Sequence, residues 1–199
     1  MSKHTMKTLM LMSFILLLVW GCWIPEDFET QIYVNKDGSY RFTYEGKLAN
    51  VMALSLEKEG KLGKKEESEL KKDVEKLKEL DGFKSVKYIG KGRYRVTVDY
   101  QGTRGKAYSF ITDDLRIFSV LFQEENQLAV QGFRPEEEEI KQLNALGVNI
   151  EGSLTVHVHP ALKVKTHNAD QHFNKSNLKS YVWNIKGVAA KPEMVIILQ

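Results

Sequence analysis

The sequence predicts an α+β fold: antiparallel sheets built from several hairpins, with two or three helices packed on one side. Three observations lead there. Segments that alternate apolar and polar residues recur from Thr30 to Leu198, which is the pattern of half-buried strands. Turn residues separate them at intervals too short for parallel crossovers, which need a dozen or more residues. Two stretches, residues 64–80 and the one that follows Pro135, instead repeat apolar side chains at helical spacing.

In order along the chain, residues 30–34 alternate, with Ile32 and Val34 on one face. Asn35-Lys36-Asp37-Gly38-Ser39 is a turn in which Gly38 offers the positive φ of a tight hairpin. Tyr40, Phe42 and Tyr44 then alternate with Arg41, Thr43 and Glu45. Over residues 49–59, Val51, Met52, Leu54 and Leu56 fit either a helix or a continued strand; a short helix, broken by residues 60–63, is the expectation. Residues 64–80 form an amphipathic helix with Leu70, Val74, Leu77 and Leu80 on one stripe and Glu67 one turn before Lys71 on the other, closed by Gly82.

Strands over 85–89 and 94–100 flank the turn Gly90-Lys91-Gly92, and further strands fall at 106–112, 115–122 and 127–133. Pro135 suits a first helical position. Glu136 to Glu139 crowd the next turn, where the helix dipole favours negative charge, and Ile140, Leu143 and Leu146 supply the apolar side before Gly147. Strands return at 153–159, 161–166, 179–186 and 194–198.

With 199 residues, 42% of them hydrophobic and 28% charged, the chain suits one domain with a real core. Lys3 and Lys7 are the only Lys, Arg, Asp or Glu among residues 1–21, so the remaining 178 residues hold 27 basic against 26 acidic groups. That balance predicts no strong field for nucleic acid or for anionic lipid, and no nucleic-acid partner is expected. Ahead of this stretch, Lys3 and Lys7 precede an apolar run from Leu9 to Trp20 and then Gly21. A basic start, a short apolar segment and a small residue describe a secretory signal peptide, and the run falls short of the about 20 residues a membrane span needs. A buried N-terminal helix and an uncleaved anchor are the competing readings.

The only cysteine, Cys22, follows directly, so no intramolecular disulfide can form. Leu18-Val19-Trp20-Gly21-Cys22 resembles a bacterial lipobox, with an aliphatic residue three before the cysteine and a small one directly before it. The resemblance implies that the Cys22 thiol takes a diacylglycerol and that residues 1–21 are removed. Each buried methylene contributes about 0.8 kcal/mol, so two or three acyl chains hold a protein firmly on a bilayer. The expected organisation is a signal peptide at 1–21, a lipid-anchored tether at 22–29 and a single domain at 30–199. The expected location is a bacterial envelope membrane, and in a diderm the periplasmic face of the outer membrane.

The four histidines after Cys22, His157, His159, His167 and His172, lie close together. On a strand His157 and His159 share a face, and two such imidazoles can bind zinc with a third ligand from His167, Asp170 or His172. The favoured alternative makes them polar residues opposite Leu154, Val156 and Val158. No His-Glu-x-x-His or Cys-x-x-Cys pattern supports a metal, and no Gly-x-Ser-x-Gly elbow supports a nucleophile. No cofactor and no catalysis are expected. Tyr40, Phe42, Tyr44, Tyr181 and Trp183 alternate along strands; core packing is favoured over a lipid or glycan pocket.

Three stretches carry a wider resemblance: the early Val-Asn-Lys-Asp-Gly-Ser-Tyr hairpin at 34–40, Val164-Lys165-Thr166-His167-Asn168-Ala169, and Tyr181-Val182-Trp183-Asn184-Ile185 before a closing apolar strand. With the lipobox, they resemble LppM-type bacterial lipoproteins. That resemblance implies an α+β envelope domain without enzymatic activity which, in some members, binds lipid or glycolipid. The leading expectation is a membrane-anchored, non-catalytic protein that binds a lipid, another apolar ligand or an envelope protein. The alternatives are a metal-binding protein or metal-dependent enzyme using His157 and His159, and a structural partner in an envelope assembly.

Overall fold

Period-two burial organises the molecule. A computed structural model describes residues 23–111, 116–123, 126–132, 136–175, 177–187 and 189–199. Within them run β1 (Trp23–Val34), β2 (Tyr40–Asn50), α1 (Val51–Lys58), α2 (Lys64–Lys78), β3 (Phe83–Gly90), β4 (Arg93–Gly102), β5 (Tyr108–Ile111), β6 (Arg116–Gln123), β7 (Gln127–Gly132), α3 (Glu137–Ala145), β8 (Glu151–Val158), β9 (Lys163–His167), β10 (Gln171–Lys175), β11 (Leu178–Lys186) and β12 (Glu193–Ile197). One sheet has seven strands in the order β10-β11-β8-β1-β2-β4-β3, and a second has five in the order β5-β6-β7-β12-β9. The expected α+β class is matched only roughly, because strand far outweighs helix.

Pairing is antiparallel except between β1 and β8, which run parallel from Phe28↔Gly152 to Val34↔Val158. Local spacing could not reveal that pair, since the chain between its strands passes through most of the fold. The sheets meet through aromatic side chains. Phe42 and Tyr44 of β2 lie 5.4 and 4.5 Å from Phe110 of β5, and Phe28 of β1 lies 5.6 Å from Phe118 of β6. Phe42, Phe110, Ile32, Leu154, Val156, Leu128 and Ile196 are wholly buried there. Burying one such side chain contributes about 1.5–3 kcal/mol, so this layer is the main source of stability.

Tyr94, Val96, Val98 and Tyr100 extend the inner face across β4. Where the second sheet ends, α2 takes over as cover: Leu77 is buried, and Tyr94 Oη donates 2.6 Å to the Leu70 carbonyl. The expected Glu67–Lys71 pair does not form the lattice of this helix. Its ion pairs run from Lys72, Lys76 and Lys78 to Glu69, Asp73 and Glu75, while Glu67 accepts from the Lys91 amide at 2.9 Å and from Tyr88 Oη.

Several boundaries differ from expectation. Residues 23–29, expected as tether, are already strand β1, with Ile24, Pro25, Glu26 and Phe28 buried. Pro25 and the acidic pair Glu26-Asp27 hide the strand from a period-two reading, and a bulge lies between Glu26 and Glu29, with Asp27 at φ 44°. Strand β2 runs on to Asn50, and only then does α1 begin, with the Asn50 side chain accepting from the Ala53 amide at 3.0 Å. Glu136 is the N-cap of α3 and Glu137 its first helical residue, not Pro135, which lies outside the described residues. Strand β10 was not expected at all. Cys22 and the signal-peptide stretch 1–21 also lie outside the described residues.

Candidate functional site

The inner face of the seven-stranded sheet is sealed, so its outer face carries the accessible polar and aromatic groups. One register row crosses it as Phe173↔Ser180, Ser180↔His157, His157↔Tyr33, Tyr33↔Arg41 and Arg41↔Gln101. Alternation sets this row. Ile32, Val34, Phe42, Val156 and Val158 point inward, so their chain neighbours Tyr33, Arg41 and His157 point outward.

The Tyr33 and His157 rings stack at 4.4 Å with 22° between their planes. His157 Nδ1 lies 2.9 Å from Ser180 Oγ. Tyr33 Oη donates to Gln31 Oε1 at 2.5 Å, and Gln31 Nε2 donates to Glu29 Oε1 at 2.5 Å. Arg41 grips Asp99 with two 2.8 Å bonds, and the guanidinium holds the Asp99 carboxyl below its ordinary range. Phe173 leaves 45% of its surface exposed at the far end of the row. The result is a row of ring and polar side chains linked by hydrogen bonds on the outer side of the sheet.

The predicted site residues fall elsewhere or apart. His157 lies on this outer face. His159 follows β8, where its amide donates to the Val34 carbonyl and its Nδ1 accepts from the Ala161 amide. His167 ends β9, 4.7 Å from the Tyr181 ring; since Tyr181 pairs with inward-facing Val156, His167 and His157 lie on opposite sides of the sheet. His167 Nδ1 also accepts from a backbone amide, that of Ala169. In a neutral ring that leaves the proton on Nε2, with no lone pair for a metal. The structure therefore does not bring His157, His159 and His167 together, and among the described residues no group of three His, Cys, Asp or Glu side chains is placed to hold a metal ion. Asp170 caps the Asn184 amide at 2.6 Å, and His172 sits 5.5 Å from His167.

Other groups with chemical potential are engaged structurally. Tyr40, Tyr44, Tyr94 and Tyr108 each donate to a backbone carbonyl, those of Lys106, Lys47, Leu70 and Asp81. Burial raises all four phenols above their ordinary range, so they remain neutral donors. Glu57 is held low by a hydrogen bond from Lys91 and by Arg93, which also reaches nearly buried Glu26 at 2.9 Å. The acidic run Glu136–Glu139 is a helix start, with Glu139 Oε2 accepting from the Glu136 amide. The apolar crevice between the sheets, lined by residues including Phe28, Phe118, Ile150 and Ile185, has a volume of about 20 Å³. A ligand pocket needs about 300–1,000 Å³. A wider open depression of about 500 Å³ is lined by Asp27, Phe28, Glu29, Glu45, Glu151 and Gly152.

The sequence reading missed Tyr33, Phe173 and the Arg41–Asp99 pair. Tyr33 was legible as the outward residue between Ile32 and Val34, but nothing local announced that His157 would arrive beside it by parallel pairing. No family model and no curated protein matches the chain.

Proposed function

We infer that this chain is an exported bacterial lipoprotein, held on an envelope membrane by acyl chains on Cys22, which binds an envelope component without catalysis. The observation that carries this reading is the run from Lys3 to Cys22, a basic start, an apolar segment and a lipobox, ending one residue before strand β1. Trp23, the residue directly after Cys22, is already part of the sheet.

Surface recognition is favoured over enclosure of a lipid. An acyl chain has no room in the small crevice between the sheets, whereas Phe173, Arg41 and Gln101 of the outer row are exposed. A non-catalytic role is supported by how the row's groups are engaged: Arg41 is paired with Asp99 of the neighbouring strand, and Tyr33 donates to Gln31.

The test is to grow cells expressing the wild-type chain or Cys22→Ser in labelled palmitate and to fractionate them. The wild-type chain should carry label and sediment with membranes, and the variant should lose both. Equal labelling and equal retention overturn the reading.

A further inference from the structure

Covalent geometry leaves almost no slack between the proposed anchor and the fold. Consecutive Cα atoms are about 3.8 Å apart, and Trp23 is already paired with Asn50 in the sheet. The end of the domain that carries Trp23 must therefore face the membrane that holds Cys22. Three neighbouring strands reach this same end. Asn50 closes β2, its amide donating 2.8 Å to the Gly92 carbonyl, and Gly90 of β3 pairs with Arg93 of β4. At about 4.8 Å per strand, β3 lies only about 14 Å from β1.

Two of the three exposed large hydrophobic side chains among the described residues belong to this end. Met52, in the first turn of α1, is 45% exposed, and Ile89, beside the β3–β4 turn, is 40% exposed. The segments that carry them are braced against each other. The Cβ position of Gly92 lies 2.2 Å from Ala53 Cβ, which shows α1 pressed on the turn, and Glu67 of α2 accepts from the Lys91 amide. Trp23 stands half-buried, edge-on to Tyr94 at 4.7 Å. The opposite end, at the Asn35–Ser39 turn, is polar.

Resting on the reading of Cys22 as acylated, we propose that Trp23, Met52 and Ile89 form a membrane-contacting rim that sits at the headgroup–acyl boundary and stands the sandwich on its end. The occupant of this apolar rim is the bilayer that carries the anchor. Surrounding ion pairs balance: Lys61 pairs with Glu59, Lys91 with Glu57, and Arg93 with both Glu57 and Glu26. Contact is therefore driven by apolar burial and does not depend on anionic lipid. The posture leaves the Tyr33–His157 row upright and open to a partner.

Because Cys22 is the only cysteine, acylation leaves any introduced thiol unique. Met52→Cys, Ile89→Cys and Lys36→Cys full chains, isolated from membranes and reconstituted in phosphatidylethanolamine–phosphatidylglycerol vesicles, are labelled with a nitroxide. Collision rates with oxygen and with a water-soluble nickel chelate are then compared, and lipid on Cys22 is checked by mass. The ratio of oxygen to nickel collisions should be several-fold higher at positions 52 and 89 than at 36, and should persist in high salt. An acylated, vesicle-bound protein with all three positions equally accessible to nickel overturns the rim alone. Chains with no lipid on Cys22 overturn the anchor and the rim together.

Discussion

Thr30 offers a sharp test of the packing. It lies midway along β1, opposite Tyr44 on β2 and Leu154 on β8, and all three are essentially sealed from solvent. Its Oγ1 is buried and finds no hydrogen-bond partner among the described residues. Leaving a hydroxyl unpaired in such a setting costs about 1–3 kcal/mol. Thr30→Val keeps the branched shape that suits a strand and replaces the hydroxyl with a methyl. Part of the gain is offset by the slightly larger group, so a net stabilisation of about 1–2 kcal/mol is expected. For a domain of this size that raises Tm by roughly 2–8 °C. Urea unfolding should show a higher midpoint with an unchanged slope. Thr30→Ser retains the unpaired hydroxyl and loses a methyl, and should be destabilised by about 1 kcal/mol or more. If Thr30→Val is neutral or destabilising while Thr30→Ser is tolerated, the hydroxyl has a partner, such as a buried water, and the reasoning fails.

Two further outcomes follow from the same geometry. Gly92→Ala places a side chain at φ +68°, with its Cβ 2.2 Å from that of Ala53, and should lower stability by about 2–5 kcal/mol in urea unfolding; a change within measurement error would mean that α1 does not press on the turn. Tyr40, Tyr44, Tyr94 and Tyr108 have phenols raised by burial, and Tyr88 is pushed up to about 12. A raised folded value gives stability that is complete below the ordinary phenol range near pH 10 and is lost as pH rises through the folded value. Part of the tyrosinate absorbance should therefore develop only together with loss of circular dichroism above about pH 10; full ionisation of a still-folded protein would contradict the burial of these rings.

Local chemistry decided much of this molecule before any tertiary contact formed. The alternation of Tyr40, Phe42 and Tyr44, the helical stripe of Leu70, Val74 and Leu77, the turns at Gly38 and at Gly90–Gly92, and the acidic start of α3 can be read from neighbours a few residues apart. The proposed lipid attachment is likewise a matter of contiguous residues, Leu18 to Cys22. Partners distant in sequence were another matter. Only the fold could set β8 parallel beside β1, stack His157 on Tyr33 and place His167 across the sheet from His157. The early start of β1 was hidden for a related reason: Pro25 and the acidic Glu26 and Asp27 read as a connecting segment, and only strand neighbours distant in sequence bury Pro25 and Glu26. Side-chain periodicity reports which face a residue takes, but register between remote strands is set by how two whole faces pack, and that information is spread over the entire chain.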